Sequence, residues 1–167
     1  NKVWLAGNVL VRALLQNDID LVRQARDSIA SEIVTGQTEG IQPDWSFHQH
    51  GTQQQFGNYG LSFLASMSFY SGVFAGTSLA FSDEQLEIVR RLTDEGYRWI
   101  LWKGKMDISA LGRQFFQQSQ VHKGLGTAFA ATELGGGTSE ACNETARALC
   151  RENFGPDATN GLAGHKH

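Results

Sequence analysis

The chain has few of the residues that staple or interrupt a fold, with two cysteines and two prolines among its 167 residues. Cys142 and Cys150 stand eight positions apart. On one helix that separation is roughly 12 Å, too far for a disulfide. They read as two buried free thiols, since unpaired cysteine is among the most buried of residue types. There is no basic block, and the net charge is -3. That balance gives no electrostatic footing for nucleic acid. No apolar run is long enough to span a bilayer. Walker, Rossmann and His-Glu-x-x-His motifs are all missing. A Gly-x-Ser-x-Gly nucleophile elbow is missing too. His48-Gln49-His50 could begin a zinc site, with His122, His165 and His167 elsewhere, but no third ligand stands at a fixed spacing. Neither a metal nor a cofactor is expected.

What remains is ordinary for a globular chain. Hydrophobic residues make up 41% of the sequence, enough to bury a core and too many for a disordered chain. The length fits one domain, or part of a larger one. The chain opens on Asn1 without an initiator Met or leader and closes on Gly164-His165-Lys166-His167. It is read as an excerpt of a longer protein.

Helical spacing dominates. Asn1 to Leu15 is apolar nearly all round, the pattern of a helix buried between others. Asp18 suits the N-cap of a second helix with Val22, Ala25, Ile29 and Ile33 at three- and four-residue steps, and Gly36 suits its stop. Asn58 to Tyr70 mixes small and large apolar residues, where short helix and buried strand are hard to separate. Ser82 with Gln85 three residues on opens a long helix that frays near Lys103 to Lys105. Met106 to Gln120 is irregular, and Gly135 to Gly137 is a break. Thr138 or Ser139 caps a last helix, with Cys142, Ala146, Leu149 and Cys150 on one face. Gly155-Pro156-Asp157 ends that helix. No strand alternation of any length appears, so the fold class is all-α, with the chemistry on loops at helix ends.

The informative stretch is Glu39 to Gly60, EGIQPDWSFHQHGTQQQFGNYG. Pro43 bars a helix interior, and Gly51, Gly57 and Gly60 break any period. A long polar loop holding Trp45, Phe47, Phe56 and Tyr59 is more often a binding or catalytic surface than a linker. His50 and Tyr59, with Arg113 further on, form a set without metal or strong nucleophile. Such a set suits proton abstraction beside a carboxylate: Arg, neutral His and an amide hold the anion while Tyr passes protons. On spacing alone, however, hydrogen bonding to the loop backbone explains His50 and Tyr59 more readily, because clustered polar groups are only statistical evidence. Most helical tryptophans are core, so Trp45 stands out from Trp4, Trp99 and Trp102 as a sugar-stacking candidate.

At these residues the sequence resembles polysaccharide lyase family 8, the chondroitin AC, hyaluronate and xanthan lyases. The shared pattern is Asp44-Trp45-Ser46-Phe47, then Gln49-His50-Gly51, then Tyr59-Gly60, with the family's nine-residue step from His50 to Tyr59. Gly112-Arg113 matches the family's catalytic arginine in motif and distance. Asn1 resembles its catalytic asparagine with a one-residue offset. The resemblance implies an incomplete (α/α) toroid over residues 1–155 and a linker towards a missing β-sandwich over 156–167. It implies a secreted or periplasmic enzyme that cleaves an anionic, uronic-acid-containing polysaccharide by β-elimination, partnered by the remaining domains of its own chain. Asn1 and His50 would neutralise the uronate carboxylate, Tyr59 would move the proton, and Arg113 would orient Tyr59 and the sugar. A free phenol ionises at about 10, so a cation such as Arg113 is needed beside the base. Two departures stand out. Gln117 occupies a substrate-contact place where many relatives carry a second arginine, and the family's catalytic glutamate falls beyond His167. The other readings are a glycan-binding helical domain without catalysis and a purely structural helical module.

Overall fold

The computed structural model describes residues 2–156 and 158. Among the described residues, six α-helices carry the fold. Helix α1 (Lys2–Gln16) turns through Asn17 and Asp18 into α2 (Ile19–Ala30). As the sequence predicts, the Asp18 carboxylate caps α2, accepting from the Leu21 amide at 3.0 Å. Val22, Ala25 and Ile29 form the buried stripe of α2 against α1. The helix stops at Ala30, earlier than Gly36. Ile33 is nevertheless buried in the turn beyond it, and Gly36 takes a left-handed φ of 81°.

Helix α1 differs from expectation. Val3, Ala6, Leu10 and Ala13 are buried, but Leu5, Val11, Leu14 and Leu15 are 59–84% exposed. Only one stripe is covered among the described residues.

The polar loop is not strandless. Strands β1 (Gly40–Ile41), β2 (Phe47–Gln49) and β3 (Gln53–Gln54) form a small antiparallel sheet. Its register pairs Gly40 with His48 and Gln49 with Gln53. Two or three residues are too few to show a period of two, so sequence alternation could not reveal them. Ile41 and Phe47 pin the sheet to the core.

A π-turn at Phe56–Gly60 runs into α3 (Leu61–Phe74), which settles the helix-or-strand ambiguity of that segment. Helix α4 (Asp83–Arg91) opens on the predicted Ser82–Gln85 capping box. It is shorter than expected, because a second π-turn at Leu92–Gly96 and a 3-10 turn at Tyr97–Ile100 replace its last turns. A hairpin of β4 (Leu101–Trp102) and β5 (Lys105–Met106) follows. Helix α5 (Ser119–Gly135) packs against α3 and α6 (Glu140–Phe154). Ser139 is the N-cap of α6. Arg90 and Arg98 pin α4 and the 3-10 turn after it to α6 through Thr145 and Glu152. Both thiols are free, as expected, but only Cys142 is buried. Cys150 is half-buried, 3.7 Å from the Thr132 hydroxyl.

Candidate active site

Two turns meet at the site. The first is the tip of the β2–β3 hairpin, where His50 (φ 59°) and Gly51 (φ 78°) are both left-handed. Glycine takes that conformation freely, whereas a residue with a β-carbon is strained in it. The second is the π-turn Phe56–Gly60. Its glycines allow close backbone approach: a β-carbon at Gly57 would lie 2.7 Å from the Leu111 carbonyl oxygen, and one at Gly60 would lie 2.7 Å from the Tyr97 hydroxyl. Tyr97 is fully buried and donates to the Phe56 carbonyl at 3.1 Å. The π-turn is thus held from both sides, and Tyr59 projects from it half-buried.

The structure brings His50 and Tyr59 together. Their ring centroids are 5.0 Å apart and the planes meet at 89°, edge to face. Among the described residues neither the imidazole nor the Tyr59 hydroxyl has a hydrogen-bond partner, so both polar ends are available to a ligand. Tyr59 also lines a cleft of about 700 Å³ with Trp4, Phe47, Phe63, Gln49 and Glu39. A Lys2–Glu32 ion pair also lines it. Asn1 lies outside the described residues.

Arg113 is tied to Tyr59 through their neighbours. Gly112 (φ 70°) lies so close to the Asn58 amide that a β-carbon would be 2.4 Å from Nδ2. Lys123, on α5, donates to Asn58 Oδ1 at 3.4 Å and to Gln114 Oε1. Burial holds the Lys123 ammonium below its usual pKa. The Arg113 guanidinium extends from this junction exposed, and no acid pairs with it among the described residues. Gln117 is exposed on the same irregular stretch.

Trp45 sits differently from a free stacking platform. Arg91 lies over its ring at 4.2 Å, and Gly96 packs on its carbonyl. Asp44 accepts from the Ser46 hydroxyl and amide, which keeps its carboxyl below the usual range. His48 faces the Ser46 hydroxyl at 3.3 Å while His50 faces Tyr59, so the His-x-His pair does not converge.

Sequence reasoning missed two cleft residues. Trp4 is 46% exposed and its ring lies 6.5 Å from that of Tyr59. The rule that helical tryptophans are core hid it. Glu39 accepts from the Gly51 amide at 2.9 Å and from the Gln49 side chain. No local spacing rule marks a contact across ten or twelve residues of loop.

Residues 1–151 match the family described as polysaccharide lyase family 8, N terminal alpha-helical domain. A xanthan lyase from Bacillus sp. (strain GL1) is 31% identical over 118 residues, which is 68% of this chain and 13% of that protein. Chondroitinase-AC from Pedobacter heparinus is 30% identical over 114 residues, 68% of this chain and 16% of that protein. The chain therefore spans under a fifth of the length of these curated relatives. The solved structure of Streptomyces coelicolor A3 chondroitin AC lyase in complex with chondroitin sulphate matches 87% of this chain and 21% of its own, with TM-score 0.78 at 23% identity, a likeness of fold. The packed helices are part of an (α/α) toroid, as the resemblance implied. With 151 of its residues matched and the helical fold shared, this chain belongs to polysaccharide lyase family 8, in the family's N-terminal α-helical domain.

Proposed function

We propose that this domain carries the proton-transfer half of a polysaccharide lyase that cleaves a uronic-acid-containing chain by β-elimination. The observation that supports it most directly is the pairing of exposed His50 with Tyr59, which lines the cleft, with rings 5.0 Å apart and both polar ends unengaged among the described residues. His50 and Asn1 hold the uronate carboxylate, so that negative charge developing at C5 is stabilised where it forms. Tyr59 takes the C5 proton. The electron pair of that C–H bond forms the C4–C5 double bond, and the C4–O bond breaks. Tyr59 returns a proton to the leaving oxygen, leaving an unsaturated uronate. Arg113 orients Tyr59 and the sugar, and Gln117 contacts substrate beyond the reacting ring. The enzyme acts outside the cytoplasm, where such polysaccharides are found, and a second domain of the full-length protein supplies the glutamate.

The test is ultraviolet absorbance of the full-length protein on a panel of uronic-acid polysaccharides. Wild type should generate the absorbance of an unsaturated product. Tyr59→Phe should lower turnover by roughly 10²–10⁴-fold, the usual scale of lost acid–base catalysis, while leaving binding in place. Appreciable turnover in that variant removes Tyr59 from proton transfer. No product from wild type on any member of the panel leaves a glycan-binding domain as the better reading.

A further inference from the structure

His50 is presented by a strained turn, and a strained backbone persists only where its surroundings over-determine it. Three features surround it. The imidazole-bearing residue has φ 59° although it carries a β-carbon, and Gly51 continues the left-handed turn at φ 78°. On one flank the Gly51 amide donates to Glu39 Oε1 at 2.9 Å. On the other, the Gln49 side-chain amide donates to Glu39 Oε2. One carboxylate therefore grips the residues before and after His50. Glu39 itself is fixed, because it directly precedes β1, whose Gly40 pairs with His48. No cation pairs with Glu39 among the described residues, so its two oxygens are committed to the turn.

We infer that Glu39 is a positioning residue: it braces the hairpin tip so that the His50 ring stands perpendicular to that of Tyr59, which lines the cleft. Glu39 has no role as acid or base here. An anionic substrate would be repelled by a free carboxylate lining the same cleft, and engaging both oxygens on donors lowers that cost. The inference rests on the lyase reading for its kinetic consequence only, since the bracing of His50 can be read without any substrate.

The experiment compares Glu39→Ala with Glu39→Gln in the full-length protein, alone and on a His50→Ala background. The amide of E39Q can still accept from Gly51, and a half-turn of the Gln49 amide restores the second bond, so this variant keeps the brace and loses only charge. Misplacing a catalytic group by an ångström can cost about 10²-fold. Glu39→Ala should therefore lower kcat by about tenfold or more with little change in KM, and E39Q should stay within about threefold of wild type. On the His50→Ala background, Glu39→Ala should cost less than about twofold further, because its effect passes through His50.

A second readout is independent of turnover. With isotope-labelled histidine, the His50 signal, identified by its loss in His50→Ala, is displaced by the Tyr59 ring. It should lose that displacement in Glu39→Ala, moving to the position of a histidine with no ring beside it, and remain in place in E39Q. An unmoved signal in Glu39→Ala overturns the inference, as does wild-type kcat in that variant. An equal kinetic loss with and without His50 also overturns it. If wild type turns over no polysaccharide, the lyase reading falls while the histidine signal still decides the role of Glu39.

Discussion

His50 holds a backbone conformation that costs a side-chain-bearing residue of order 1–3 kcal/mol, so its stability and its use are set against each other. His50→Gly is expected to leave the protein as stable as wild type or more stable by up to about 1 kcal/mol, while turnover falls roughly 10²-fold. Urea midpoints beside initial rates check both halves. A loss of stability beyond about 1 kcal/mol would mean that packing of the imidazole on Tyr59 outweighs the strain. The tryptophans give a second contrast. Trp4 lines the cleft, whereas Arg91 covers a face of Trp45. A uronate-dependent change in tryptophan fluorescence should therefore vanish in Trp4→Phe and persist in Trp45→Phe. The reverse result would return sugar stacking to Trp45. The resemblance in motif singled out His50, Tyr59 and Arg113 in the sequence, and folding sets His50 beside Tyr59. Trp4 and Glu39 escaped it, since their importance comes from what folding sets beside them.

At the level of elements, the caps were legible and the helix interruptions were not. Asp18, Ser82 and Ser139 were readable because a cap is one side chain meeting an amide two or three residues on. A π-turn differs from an α-turn by one residue of hydrogen-bond offset, with no propensity of its own to announce it. That is why α4 was read too long. The π-turn that bears Tyr59 is wedged by glycines, and this makes them testable. Gly57→Ala places a β-carbon 2.7 Å from the backbone of Leu111, and backbone cannot rotate away. It should cost about 1–3 kcal/mol of stability. Gly112→Ala combines a left-handed φ of 70° with a 2.4 Å approach to Asn58. It should lower turnover as well as stability, because Arg113 is the next residue. Thermal melts paired with rates separate the two cases, and wild-type rates in Gly112→Ala would detach this junction from catalysis.

For the whole molecule, two properties of the core and surface have measurable consequences. Tyr97 is fully buried, and burial raises its pKa well above the usual 10.0. The folded state thus keeps a proton that the unfolded chain releases. Stability from this group is fully present below about pH 10 and declines as pH rises beyond it. Tyr97→Phe should flatten that alkaline limb at a cost of about 0.5–1.5 kcal/mol near neutrality for the lost hydrogen bond. Urea midpoints across the alkaline range read the slope, and an unchanged slope assigns the alkaline loss to other groups. On the surface, Leu5, Val11, Leu14 and Leu15 present an apolar face on α1. In isolation this domain should self-associate through such a patch, and Leu14→Lys with Leu15→Glu should reduce the light scattering. An α1 apolar all round was legible in the sequence; which side would be covered was not, because that depends on what packs against it.

The π-turn at Phe56–Gly60 also has a meaning in the language of genes. It holds one residue more than an α-helical turn, and it stands between the His50 hairpin and α3. Deleting Asn58 would let the turn close as ordinary helix and swing the hairpin by about 100° around the helix axis, one residue's share of a turn. The helical domain should keep its circular dichroism and lose its catalytic corner. A three-nucleotide insertion at a helix start is thus the size of the step that aims an imidazole at a phenol.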